Sequence, residues 1–214
     1  MPRFLTPTAI SEFRAQLCIA AEQLFSEAGY EGFNMRELSK KISVSAMTPY
    51  RYFSDKSEIL NVLRARAFCR LADQLDLIRT RPSPAAERNT ALGRVYIQFA
   101  KDEHMYYRLM FDLSRAGNQY GLNNHPEGMR IQSIFAACVD QTSDTSQEDA
   151  ESIGLMIWTA LHGAVSLFLS GRISEAQLDH IAPEAVSAIT SAYSKPAETF
   201  PYKLHALAHS ASAQ

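Results

Sequence analysis

Cysteine is scarce in this sequence. Cys18, Cys69 and Cys138 are odd in number and far apart, and no two have disulfide or metal-ligand spacing. Neither a disulfide framework nor a cysteine metal site is expected, and a reduced, cytoplasmic setting is. Strong net charge is missing too. The formal value is −2, so the chain as a whole does not advertise nucleic-acid binding. The opening MPRFLTPTAI lacks the apolar run of a signal peptide. No β-branched alternation marks a strand, and no internal repeat is visible. There is no Gly-x-Ser-x-Gly, no Gly-rich phosphate loop and no His-Glu-x-x-His. No enzyme, cofactor or metal site is therefore expected. His205 and His209, one helical turn apart, are too few to make a metal site.

One segment has the length of a membrane span. Residues 152–171, SIGLMIWTALHGAVSLFLSG, contain no Asp, Glu, Lys or Arg. About 20 apolar residues suffice to cross a bilayer. Ser152, Thr159, His162, Ser166 and Ser170 interrupt this run, and the chain has no second candidate. It reads as a buried helix, with no membrane partner.

What the chain does contain is helical periodicity. Phe13, Leu17, Ala20, Ala21, Leu24 and Ala28 form an apolar stripe over about 8–28, and Gly29 is placed to cap it in the left-handed conformation. Asn34 with Glu37 and Asp55 with Glu58 have capping-box spacing. They open helices over about 35–42 and 55–79. Further helices are expected over about 85–101, 103–115, 126–141, 148–170 and 176–193. RPSPAAER, at 81–88, reads as a linker.

Between the second and fourth helices lies SVSAMTPYRYFSDKSEIL, which is not written like a core helix. Two short helices joined by three or four residues and packed on a longer one make a helix-turn-helix. Its second helix, here about 46–53, lies in the DNA major groove and buries one side only. Val44 and Phe53 suit the buried side, and Ser45 the N-cap. Ala46 and Met47 can approach bases. Thr48, Tyr50 and Tyr52 can reach phosphates or base edges, and Arg51 either of these or solvent. Arg36 and Lys56 stand at helix starts, where phosphates bind. Pro49 is tolerated if the helix begins at Ser45, because the first N–H groups of a helix have no intrahelical partner. Charge agrees: residues 36–56 hold five Lys/Arg against two Asp/Glu. A small helical bundle with exposed tyrosines would fit the same composition.

AAEQLFSEAGYEGFNMRELSKKISVSAMTPYRYFSDKSEIL resembles the N-terminal domain of the tetracycline-repressor (TetR) family of one-component regulators. The matching residues are Ala-Ala-x-x-Leu-Phe, Gly29, Arg36-Glu37-Leu38, Val44-Ser45, Tyr50-x-Tyr52-Phe53, Lys56 and Leu60. The family usually has Ala-Gly where this chain has Ile42-Ser43, so a left-handed Ser43 would cost about 1 kcal/mol relative to glycine. More weakly, YIQFAKDEHMYYRLMF and WTALHGAVSLFL look like the Trp…His-Gly type of TetR C-terminal domain.

The resemblance implies an all-α fold. Residues 1–55 would be a three-helix helix-turn-helix head binding an operator in double-stranded DNA. Residues 56–194 would be a helical body binding a small-molecule effector and forming a homodimer through about 148–193. Residues 195–214 would be a tail. The sequence agrees on the dimer: the helix around Trp158 is apolar on more than one face and must be covered all round. Pocket candidates are Tyr96, Phe99, Tyr106, Tyr107, Met110, Phe111, Trp158 and His162, aromatic residues with a few polar tips. Each of them also suits plain core. The expected function is a dimeric repressor released from a near-palindromic operator by its effector. The alternative is a helical small-molecule-binding protein or enzyme whose head no longer binds DNA. The polar residues from Ser45 to Lys56 argue against that alternative.

Overall fold

The computed structural model describes residues 6–111, 126–139 and 146–193. The expected ends of the helices at 112–115 and 140–141, the His205/His209 pair and the tail lie outside the described residues.

Local chemistry sets the helix ends of the head. α1 (Pro7–Gly32) opens on Thr6, whose side chain accepts the Ala9 N–H, with Pro7 in the first turn. Of its expected stripe, Leu17, Ala20, Ala21 and Leu24 are buried, with Phe25 beside them; Phe13 is half-buried and Ala28 exposed. Gly29 takes φ 66° but ψ −167°, a kink open to glycine rather than the left-handed cap expected there, and the chain adds a further turn before α2 (Met35–Lys41). Asn34 and Asp55 cap α2 and α3 (Lys56–Arg79) by accepting the N–H of Glu37 and Glu58, both at 2.9 Å. Only this half of each capping box forms. The Glu37 carboxylate turns instead to Lys40, and that of Glu58 to Ser54.

α2 ends in a Schellman motif: Val44 N–H donates to Ser39 C=O and Ser43 N–H to Lys40 C=O, each at 3.0 Å. Ser43 occupies the left-handed position, φ 57°, that glycine usually fills.

The expected recognition helix over 46–53 is corrected. The chain there makes a turn and then a 3-10 turn, Pro49–Arg51. The cause is Pro49. In an α-helix capped by Ser45, the Ser45 carbonyl would accept from residue 49, which has no N–H. It takes the Thr48 N–H instead, at 2.9 Å, and Thr48 C=O takes the Arg51 N–H at 3.1 Å. The segment tightens to the three-residue period.

The body comprises α3 together with α4 (Ala85–Asp102), α5 (His104–Phe111), α6 (Pro126–Ala137), α7 (Gln147–Leu169) and α8 (Glu175–Tyr193). The fold is all-α, with no strand among the described residues. α3 belongs to both halves: it packs on α1 and also on α4, α5 and α6. Head and body share one continuous apolar core running from Leu17 to Val186. At their junction the Met105 methyl sits against Gly29, 2.7 Å from where a Cβ would lie. Within the body, the buried Arg64 of α3 donates to Leu109 C=O of α5 at 2.8 Å. α6 and α7 meet at Gly154, where a Cβ would lie 2.5 Å from the Ala136 nitrogen.

Candidate functional site

The segment after Ser43 is held from inside and displayed outward. Pro49 and Phe53 are buried. The Tyr52 ring packs on Phe13, with centroids 4.7 Å apart. Arg14 of α1 clamps the segment: it donates to Tyr52 C=O and to the Glu58 carboxylate, and lies 4.1 Å over the Phe53 ring. The Ser54 N–H bond to Glu58, ahead of Arg14 itself, holds the Glu58 carboxyl below its ordinary pKa.

Ser45, Ala46, Met47, Tyr50 and Arg51 of this clamped segment are exposed, as is Arg36 of α2. Met47 is 67 % exposed and Tyr50 47 %. Thr48 is half-buried, 3.3 Å from the Ser45 hydroxyl. Tyr52 and Lys56 are drawn inward. The Lys56 ammonium donates to Tyr30 C=O at 2.7 Å and lies 4.1 Å over the Tyr30 ring. Sequence reasoning missed Arg14. Its signal was a cation on the buried stripe, in register with Leu17 and Ala21, a place that demands a partner.

The eight pocket candidates separate into groups. Phe99 and Met110 are core. Tyr106 faces the head, where its hydroxyl donates to Glu22 C=O at 3.0 Å. Tyr96, Tyr107, Trp158 and His162 form one hydrogen-bonded chain. Trp158 Nε1 is 3.0 Å from Tyr96 Oη, Tyr96 Oη 2.9 Å from Tyr107 Oη, and Tyr107 Oη 2.7 Å from His162 Nδ1. Burial pushes both tyrosine hydroxyls far above their ordinary pKa and lowers that of His162. The chain opens at His162 onto a pocket of about 360 Å³, lined also by Tyr107, Arg108, Phe111, Ser166, Leu169 and Ser170. Arg108 and Ser166 went unpredicted, although Ser166 stands one turn beyond His162.

A second surface lies on the last two helices. Leu155 and Leu167 of α7 and Ile181 of α8 are each 44–45 % exposed, and nothing lies within 4 Å of a Cβ placed on Gly163. α7 is long and apolar enough to cross a membrane, by length and composition alone. Among the described residues, no group of three His, Cys, Asp or Glu could hold a metal ion.

Comparison with known proteins places these features. Residues 19–63 match the bacterial regulatory proteins of the tetR family, and residues 90–189 match the tetracyclin repressor-like C-terminal domain. The two matches together span more than half of the chain, and both describe regulators rather than enzymes. The chain is 27 % identical over 140 residues to the HTH-type transcriptional activator FasR of Mycolicibacterium smegmatis, covering 65 % of this chain and 61 % of FasR. It is 39 % identical over 54 residues to the HTH-type transcriptional regulator HbdR of Aromatoleum sp., 25 % of this chain and 24 % of HbdR. The matched part is thus under two thirds of the length of these curated relatives. Among solved structures, a protein of unknown function from Rhodococcus sp. RHA1 is similar in fold. Its TM-score is 0.69 at 24 % identity, over 84 % of this chain and 94 % of that one. The TetR-family regulator PfmR of Thermus thermophilus has a TM-score of 0.58 at 16 % identity, over 82 % and 97 %.

Proposed function

The chain belongs to the tetracycline-repressor family of bacterial regulatory proteins, and on that premise we propose that it is a cytoplasmic, dimeric repressor that binds a specific operator. Residues 1–55 bind DNA, and 56–194 bind an effector and dimerise. The observation that carries this reading is the outward display of Ser45, Ala46, Met47, Tyr50 and Arg51 from a segment clamped beneath by Arg14. A surface with large exposed side chains on a rigid support is what base-edge contact requires. Arg36 adds a phosphate contact.

The exposed apolar face of Leu155, Gly163, Leu167 and Ile181 supports a dimer. A second copy covers it, and small residues there let the helices approach closely. The dimer then presents two heads to half-sites of a near-palindrome. The effector occupies the body pocket at His162 and releases the operator through its unequal affinity for the two states of the protein. One observation favours a second sign of regulation: FasR is named an activator. A reporter gene behind the operator separates the two, because a repressor lowers its expression and an activator raises it.

The first experiment is selection of bound genomic fragments by the purified protein at two salt concentrations. One enriched near-palindromic motif, bound less tightly as salt rises, is the expected result. Absence of any enriched sequence at low salt overturns the reading.

A further inference from the structure

One polarity of the chain from Trp158 to His162 gives every buried proton a partner. An indole N–H only donates, so Tyr96 Oη accepts from Trp158. Each buried hydroxyl has one proton to place. That of Tyr96 goes to Tyr107 Oη, 2.9 Å away, and that of Tyr107 to His162 Nδ1 at 2.7 Å. The reverse order would strand the buried Tyr96 proton. Nδ1 of His162 is thus an acceptor, and the proton of the neutral ring sits on Nε2. The chain ends in a fixed donor pointing away from Tyr107.

That donor has little to do within the protein. Ser166 Oγ is 3.5 Å from Nε2, at the far edge of bonding distance. The pocket around it has apolar walls in Phe111 and Leu169 and one cation, Arg108. One Arg108 N–H is used on Leu169 C=O at 2.6 Å, which leaves other donors of the fork. No carboxylate lines the pocket among the described residues. Donors, one positive charge and apolar walls converge on a space of about 360 Å³.

We propose that this pocket selects an apolar molecule ending in a carboxylate, its oxygens accepting from His162 Nε2–H and from Arg108. This rests on the reading that the body pocket holds an effector, and adds the chemical class. An ammonium head would meet two donors and a like charge. A hydroxyl head would satisfy one donor and leave the charge unused.

The test uses the full chain and its single tryptophan, Trp158, which heads the chain. Octanoate, octan-1-ol and octylammonium, alike in tail, are titrated by fluorescence and by calorimetry. Octanoate is expected to bind about tenfold tighter than the other two, the effect of one charge-assisted pair. Arg108→Gln should remove that preference, costing octanoate more affinity than it costs octanol. Nitrogen NMR of His162 should show a protonated Nε2 and a bare Nδ1, and Tyr107→Phe should relax that preference. Octanol binding as tightly as octanoate, or octylammonium binding tighter, overturns the carboxylate class and leaves the effector pocket standing. A proton on Nδ1 overturns the polarity on which the class rests. Silence from all three probes overturns both the class and the pocket.

Discussion

The Trp158 indole donates to the Tyr96 hydroxyl at 3.0 Å across 62 residues of sequence, and both side chains are buried. Neither group can reach water in the folded protein. Tyr96→Phe would keep the ring packing and strand the Trp158 N–H. A buried donor without a partner costs about 1–3 kcal/mol. Unfolding free energies of the two proteins in denaturant should differ by that amount, and equal values would show that the bond contributes nothing net.

Acid should weaken the fold through His162. Burial lowers its pKa from the ordinary 6.5, so the ring is neutral in the folded protein. The unfolded chain binds the extra proton first as pH falls. His162 therefore leaves stability intact above 6.5 and reduces it as pH drops through that value, until the folded ring also titrates. Melting temperatures recorded down to about pH 5 should fall less steeply for His162→Gln than for the native chain. Parallel profiles would remove His162 as the cause.

Ser43→Gly should stabilise the head. Ser43 sits at φ 57° in the cap of α2, where a side chain is strained and glycine is not. Glycine also frees the unfolded chain, so the net gain is about 0.5–1 kcal/mol. A thermal melt reads it, and a loss of stability would contradict the strain.

Two glycines of α7 should respond oppositely to alanine. At Gly154 the new Cβ would meet the α6 backbone at 2.5 Å, which backbone movement alone can relieve. Gly154→Ala should cost about 1–3 kcal/mol. At Gly163 a Cβ meets open space within the chain, and alanine favours a helix by about 0.8–1 kcal/mol. If Gly163 lies in the dimer seam, Gly163→Ala should nonetheless raise the dimer dissociation constant. Sedimentation over a range of concentrations separates the two effects, and an unchanged constant would take Gly163 out of the seam.

On DNA, Tyr50→Ala should weaken binding to the selected motif by about 1–3 kcal/mol if the ring meets a base. Arg36→Ala should weaken all sequences alike and flatten the salt slope by about one unit. Lys56→Ala should lower the melting temperature as well, because its ammonium holds Tyr30. A gel-shift series at several salt concentrations tests the first two, and a thermal melt the third.

The sequence alone determined what depends on near neighbours. The stripe of α1, the turn at Gly29, the caps Asn34 and Asp55, and the left-handed Ser43 are all set by residues within a turn or two. Such signals are legible because helix period and end chemistry repeat every few residues. The head's surface was legible for a related reason: polar and aromatic residues crowd a segment too short to bury them.

Tertiary structure decided the rest. Arg14 reaches Tyr52 across 38 residues, Lys56 reaches Tyr30 across 26, and Tyr107 meets His162 across 55. No periodicity encodes such pairs, because they form only when separate helices pack. The same holds for the pocket candidates, where a stripe of aromatics reads alike whether it faces core or cavity. Pro49 shows the boundary between the two. Its missing N–H was plain in the sequence. That loss turns the segment into a 3-10 turn, but the burial of Pro49 and Phe53 beneath the displayed face exists only in the packed chain.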